Sequence, residues 1–213
     1  MSDSEVPPAT AAAAASGRGP EQDERPRPRE RILVAAAVLF GRSGVRVVGV
    51  DTIITTAQVA KASLYHHFPS KDDLVVAWLR SEPPRWIDRV TAATAAKGGA
   101  AVDRLLGFFD AVAVEIERPD FHGCPYLNTA AEFHDGPGSV RAVVVDYLEE
   151  VEAHLCGLAT DAGSRDPGGL GAELRLLVAG AMASSQGLGR PSGADGAARV
   201  ARVLIEEACG PRP

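Results

Sequence analysis

The chain of 213 residues, 46% apolar and 23% charged with a formal net charge of −6, is long enough for one or two soluble domains and excludes collagen-like and wholly disordered classes. No run approaches the roughly 18 uninterrupted apolar residues of a spanning helix. The opening MSDSEVPPAT is acidic where a secretory leader would be basic, so a cytoplasmic protein without a membrane partner is expected.

The charge is uneven. Residues 1–24 carry one Arg against five acids, residues 25–80 nine Lys or Arg against four acids, and residues 81–213 twelve against nineteen. A basic block inside an acidic protein suits a polyanion-binding module joined to something else. Cys124, Cys156 and Cys209 form an odd, dispersed set that fits neither a disulfide framework nor CxxC zinc spacing, so reduced thiols are expected.

Residues 1–27 are rich in Ala, Pro, Ser, Gly and charge without periodicity and read as a disordered tail. From Glu30 the pattern changes. Ile32, Ala35, Ala36, Leu39 and Phe40 make one stripe of an amphipathic helix that stops at Gly41–Gly44. Val50, Ile53, Ile54 and Ala57 repeat that spacing over a short second helix, Gln58-Val59 make a turn, and Ala60–His67 form a third. Ser70 is the expected N-cap of a fourth helix running to about Arg80, with Asp72 and Asp73 in its first turn. Pro83-Pro84 must break it, which places a domain seam there. Beyond, helices are expected at about 85–97, 101–117, 124–134, 138–160, 168–188 and 194–209, punctuated by Gly and Pro. The fold class is all-α. The domains read as a tail over 1–27, a helix-turn-helix unit over 28–80 and a larger helical unit over 81–213.

Two short helices separated by a tight turn and preceded by a supporting helix match a helix-turn-helix, whose second helix lies in the major groove of DNA. That helix needs apolar residues inward and small or hydrogen-bonding residues outward. Leu64 and Phe68, one turn apart, can face the core, while Lys61, Ala62, Ser63, Tyr65, His66 and His67 remain for groove and phosphate. Arg46 adds a positive charge nearby, and Lys71 with the free amides opening the fourth helix offers a second phosphate contact. A metal pair at His66-His67 is disfavoured, because adjacent helical residues point about 100° apart and no third ligand is local.

The run Val50-Asp51-Thr52-Ile53-Ile54, then Val59 to Leu74 with its core Leu64-Tyr65-His66-His67-Phe68-Pro69-Ser70-Lys71, resembles the DNA-binding signature of TetR/AcrR-family transcriptional regulators. The detailed resemblance covers about residues 29–80. Weaker similarity extends to Phe121–Asn128, Ala130–Phe133 and Leu174–Ser185. The chain departs from the family pattern at Gln58, where glycine is usual in the turn and a left-handed backbone costs an L-residue about 1 kcal/mol. It also departs at Ala60 and Gly49, where Ser and Thr caps are frequent.

The resemblance implies a homodimer on a near-palindromic operator, with the C-terminal domain supplying dimerisation, through the last two helices, and a pocket for a small-molecule effector. Ligand would release the DNA by favouring wrongly spaced recognition helices. The helix after Ser70 is the lever touching both domains, with Pro83-Pro84 as its far hinge. Candidate pocket residues are Trp86, Phe108, Phe109, Phe121, Tyr126, Asn128, Glu132, Phe133, Met182 and Gln186, which argue for a largely apolar effector. Asn128 and Glu132, at i and i+4, either face that cavity or bond each other. No cofactor is implied. Two other classes fit parts of the chain: a degenerate helix-turn-helix acting as an interaction module, and a helical enzyme using Cys124 and His122 with His134 and Glu132. Against the enzyme, the sequence has no Walker A loop, GxGxxG, HExxH or GxSxG.

Overall fold

In the computed structural model the described residues are 26–81, 86–133 and 138–210, and all secondary structure among them is helical. Residues 1–25 of the expected tail, the Pro83-Pro84 break and His134 lie outside them. Four helices come first: α1 (Pro28–Ser43), α2 (Val50–Ala57), α3 (Lys61–His67) and α4 (Lys71–Ser81). Six follow: α5 (Trp86–Lys97), α6 (Ala101–Ile116), α7 (Pro125–Glu132), α8 (Ser139–Asp161), α9 (Pro167–Leu188) and α10 (Ser192–Cys209).

Helix α1 opens with proline, whose missing N–H is no loss in a first turn, and Glu30 accepts the Arg27 backbone N–H at 3.1 Å. Its apolar stripe is buried as expected at Ile32, Ala35, Ala36 and Phe40, and Phe40 meets the Trp78 ring of α4 edge-on at 5.2 Å. Ile53 and Ala57 of α2 and Leu64 and Phe68 of the α3 segment complete this small core. Ser70 caps α4 in the expected way. Its N–H and hydroxyl donate to Asp73 Oδ2 at 3.0 and 2.7 Å, and the Asp73 N–H donates back to Ser70 Oγ at 3.1 Å.

Between α2 and α3, Gln58 holds the left-handed conformation (φ 53°, ψ 49°), the one positive φ of a non-glycine residue among the described residues. Its N–H donates to Thr55 O and that of Val59 to Ile54 O, both at 3.2 Å, so the turn closes despite the side chain. Gln58→Gly should therefore stabilise the protein by about 0.5–1 kcal/mol, raising Tm by roughly 1–4 °C. A scanning-calorimetry melt of the variant with an unchanged or lower Tm would contradict this.

The second group packs α8 against α9 and α9 against α10, with α6 buried between α5, α8 and α10. Backbone contact at the first crossing is close: a Cβ on Gly171 of α9 would stand 2.9 Å from the Cys156 backbone nitrogen of α8. The two groups are tied together by α4, which packs on both α1 and α8. Tyr126 of α7 reinforces this tie by donating its hydroxyl to the Leu79 carbonyl at 2.6 Å while stacking flat on Tyr147 of α8, with centroids 3.5 Å apart.

His154 of α8 is half-buried beside the Phe108 ring, 3.4 Å from the Thr91 hydroxyl. Burial pushes its pKa below the ordinary 6.5, with the nearby Glu150 charge opposing. Below about pH 6.5 the unfolded chain then takes up a proton the folded one refuses, so this site's contribution to stability falls as the pH drops. His154→Gln should flatten the decline in denaturant midpoint between pH 7 and pH 5. An unchanged slope in the variant would remove His154 from the account.

Candidate nucleic-acid interface and interdomain cleft

Helix α3 presents a sharply two-sided surface. Leu64 is fully buried and Phe68 nearly so, whereas Lys61, Ala62, Tyr65 and His66 are exposed and Ser63 and His67 half-buried. Tyr65 keeps 44% of its surface open, unusual for an aromatic side chain with no ring neighbour described. Lys61 reaches back to Asp51 Oδ1 at 3.3 Å, an exposed pair worth little and readily exchanged for a phosphate. Arg46 is exposed, and Arg29 of α1 lies over the Phe68 ring, its guanidinium carbon 5.4 Å from the centroid. Two nitrogens of Arg31 are buried with no hydrogen-bond partner among the described residues. Neither Arg29 nor Arg31 is among the expected contact residues, although both fall inside the expected helix-turn-helix unit over 28–80.

Lys71 is half-buried at the start of α4. Burial lowers its pKa, opposed by the charges of Glu132 and Asp72. The residue expected to touch phosphate thus also looks toward the second helical group.

Glu132 is where the two groups clasp. At the end of α7 it accepts the Val45 N–H through Oε1 at 2.9 Å and the Arg46 N–H through Oε2 at 2.5 Å, both from the loop joining α1 to α2. Gly44, at φ +80°, makes this approach possible: a Cβ there would stand 2.7 Å from Glu132 Oε1. Of the two expected arrangements, Glu132 and Asn128 do not bond each other, and both line the cleft described next. Asn128 donates instead to the His122 carbonyl at 2.9 Å.

Beside this clasp lies a cleft of about 670 Å³ shared by both groups, walled by α1 and Trp78 on one side and by α5, α7 and the 118–124 loop on the other. It falls within the size range of small-molecule sites. Of the expected pocket residues, Trp86, Phe121, Asn128, Glu132 and Met182 line it, and Gln186 with Phe121 lines an adjoining cavity of about 460 Å³. Phe108, Phe109, Tyr126 and Phe133 line neither. Phe108, Phe109 and Tyr126 are buried in ring-to-ring packing, and Phe133, past the last turn of α7, packs against the core.

The arginine pairs of the cleft are not among the residues expected from the sequence. Arg89 of α5 binds Glu115 of α6 in a bidentate pair, with Nε 3.0 Å from Oε2 and Nη2 on Oε1. Arg118 binds Asp120 the same way at 3.0 and 2.9 Å, which holds the Asp120 carboxyl below its ordinary pKa. The His122 Nδ1 lies 2.7 Å from the Asp120 carbonyl oxygen. These pairs join residues of separate elements or sit in an irregular loop, so no helical period signals them. On two of its lining residues, Trp86 Nε1 and Thr129 Oγ1 are buried with no partner among the described residues. An orphaned polar group of this kind costs about 1–3 kcal/mol.

The match to known proteins extends over both groups. Residues 32–78 fit the model for bacterial regulatory proteins of the tetR family, and residues 101–201 fit the tetracyclin repressor-like C-terminal domain. A TetR-family transcriptional regulator from Streptomyces coelicolor is similar at 30% identity and TM-score 0.79, over 85% of this chain and 96% of that one. A Streptomyces avermitilis protein described as a tetR transcriptional regulator matches at 32% identity and TM-score 0.71, over 86% and 98%. A TetR transcriptional regulator from Chloroflexus aurantiacus follows at 26% and 0.73, over 85% and 95%. No curated protein matches. With an exposed α3 face of the helix-turn-helix kind and similarity running through both helical groups, the chain belongs to the tetR family of bacterial DNA-binding transcriptional regulators.

Proposed function

We propose that this regulator is a ligand-responsive repressor that releases a near-palindromic operator when a small molecule occupies the interdomain cleft. One observation carries the reading: the cleft is walled on one side by α1, which supports the recognition helix, and on the other by α5, α7 and the 118–124 loop. A ligand filling it bears on both at once. Its differential affinity for two relative placements of these walls is the free energy available to shift operator binding.

In this reading residues 28–80 are the DNA-binding unit and residues 81–213 the effector and dimerisation unit. A homodimer through α9 and α10 is supported by apolar side chains left uncovered within one chain: Leu176 on α9 and Val200 and Val203 on α10 are 62%, 48% and 61% exposed. Lys61, Ala62, Ser63, Tyr65 and His66 enter the major groove, with Arg46, His67 and Lys71 on the flanking phosphates.

The test is a footprint on the intergenic DNA beside the gene, repeated with a compound panel. Two protected half-sites about one helical turn apart, lost on adding an effector, are expected. Protection that no compound relieves would leave a DNA-binding protein but sink the ligand response. Absence of protection at low salt would sink the reading as a whole.

A further inference from the structure

Arg46 belongs to the loop that leads from α1 into α2, and this loop has an inner and an outer side. Val45 and Val48 are buried and pin it to the small core, whereas Arg46 and Val47 stand exposed between them. The loop backbone is then held from outside its own helical group. Glu132, the last residue of α7, accepts the N–H groups of Val45 and Arg46 with its two carboxylate oxygens. Because each peptide unit is planar, these two bonds fix the planes on either side of Val45, so the chain enters Arg46 in a set direction. Lys71 at the start of α4 also feels the Glu132 charge, which acts to keep it protonated against burial. Two cations from different elements, both expected on flanking phosphates, thus gather about one carboxylate that the second helical group supplies.

We infer that Glu132 is a positioning residue for operator binding: it holds the α1–α2 loop in the shape that brings Arg46 to a backbone phosphate. The effect belongs to the unliganded protein and so goes beyond the effector response, while resting on the placement of Arg46 at a flanking phosphate in the proposed function. Its sign is opposite to that of the Glu132 charge. An anion beside DNA-facing cations repels phosphate, so by charge alone Glu132→Gln would tighten binding to every duplex. Glutamine has one acceptor oxygen where the carboxylate has two, so it can hold only one of the two N–H groups. With the loop released, the contact made by Arg46 is given up and binding weakens.

The test is a double-variant cycle on the full chain, without effector: operator titrations of the parent, Arg46→Gln, Glu132→Gln and the pair together, each at several salt concentrations. Each single variant should raise Kd about three- to tenfold and reduce the slope of log K against log salt by about one unit. The double variant should bind no more weakly than Arg46→Gln alone, because the contact that Glu132 secures is already gone. Melts of the same four proteins separate this from mere loss of fold, which removes active protein without changing the salt slope of what remains. Tighter or unchanged binding by Glu132→Gln, with Arg46→Gln weakened, overturns the inference and leaves Arg46 on the phosphate. Losses that add in the double variant also overturn it, since Glu132 would then act by a route other than Arg46. Parent-like binding by Arg46→Gln, with Tyr65→Ala weakened, removes Arg46 from the interface and the inference with it, while α3 keeps its role. A parent chain that binds no operator at low salt sinks the proposed function itself.

Discussion

Glu132→Ala is expected to lower Tm by about 4–8 °C, which corresponds to about 2 kcal/mol for a chain of this size. The carboxylate accepts two backbone N–H groups from the α1–α2 loop, and hydrogen bonds to a charged acceptor contribute about 1.5–3 kcal/mol each. The two losses are unequal. Val45 is 2% exposed, so its N–H is left without water when the carboxylate goes, whereas Arg46 is exposed and its N–H can be rehydrated. Glu132→Gln keeps one acceptor oxygen and should lose about half as much. Gly44→Ala attacks the same clasp from the other side, through both its left-handed backbone and its contact with Oε1. The double variant should therefore fall short of the sum of the singles. Glu132 lines the cleft and ties α7 to the α1–α2 loop, so under the proposed function Glu132→Ala should also shrink the effector-induced change in operator Kd toward unity. Melts of the four proteins, with operator titrations in the presence and absence of effector, check both parts; a variant that melts and responds like the parent would show that the clasp is ornamental.

Helix existence and boundaries were legible because local physics decides them. Gly and Pro punctuate nearly every junction, and the stripe from Ile32 to Phe40 and the Ser70 cap each speak for their own element. The helix expected at about 124–134 is shorter in the structure: α7 stops at Glu132, and Phe133 leaves the helical conformation. Outward and inward faces of α3 were also readable, since the period-3.6 pattern alone separates Leu64 from Tyr65. The cleft was not. Glu132 finds its partners 86 and 87 positions away, and Arg89 meets Glu115 across 26 positions, distances over which spacing carries no information. Aromatic content misled in a specific way. Phe108 and Tyr126 have the composition of pocket walls, but rings of neighbouring helices pack against them, Trp86 and His154 on Phe108 and Tyr147 on Tyr126. The cleft keeps Trp86, Phe121 and Met182, and completes its wall with the α1 face, Trp78, the arginine pairs and the 118–124 loop.

Tyr65→Ala and Lys71→Ala are expected to weaken operator binding in different ways, and the difference separates sequence reading from charge. Tyr65 is the large exposed side chain on the outer face of α3, so its removal should cost about 1–3 kcal/mol, roughly 5- to 150-fold in Kd, at the native operator and far less on unrelated DNA. Lys61→Ala and Ser63→Ala should likewise change the ranking of half-site variants, with Lys61 the milder because its ammonium group already has Asp51 at 3.3 Å as an alternative partner. Lys71 acts as a charge beside the opening turn of α4. Its loss should weaken all sequences about equally and reduce the slope of log K against log salt by about one unit. Titrations of the four variants on the operator, on single-base half-site variants and on random duplex, each at several salt concentrations, give both readouts. Preference profiles that coincide for all four would remove α3 as the reading element, and an unchanged salt slope for Lys71→Ala would confine that lysine to the interdomain side, where Glu132 and burial already act on it.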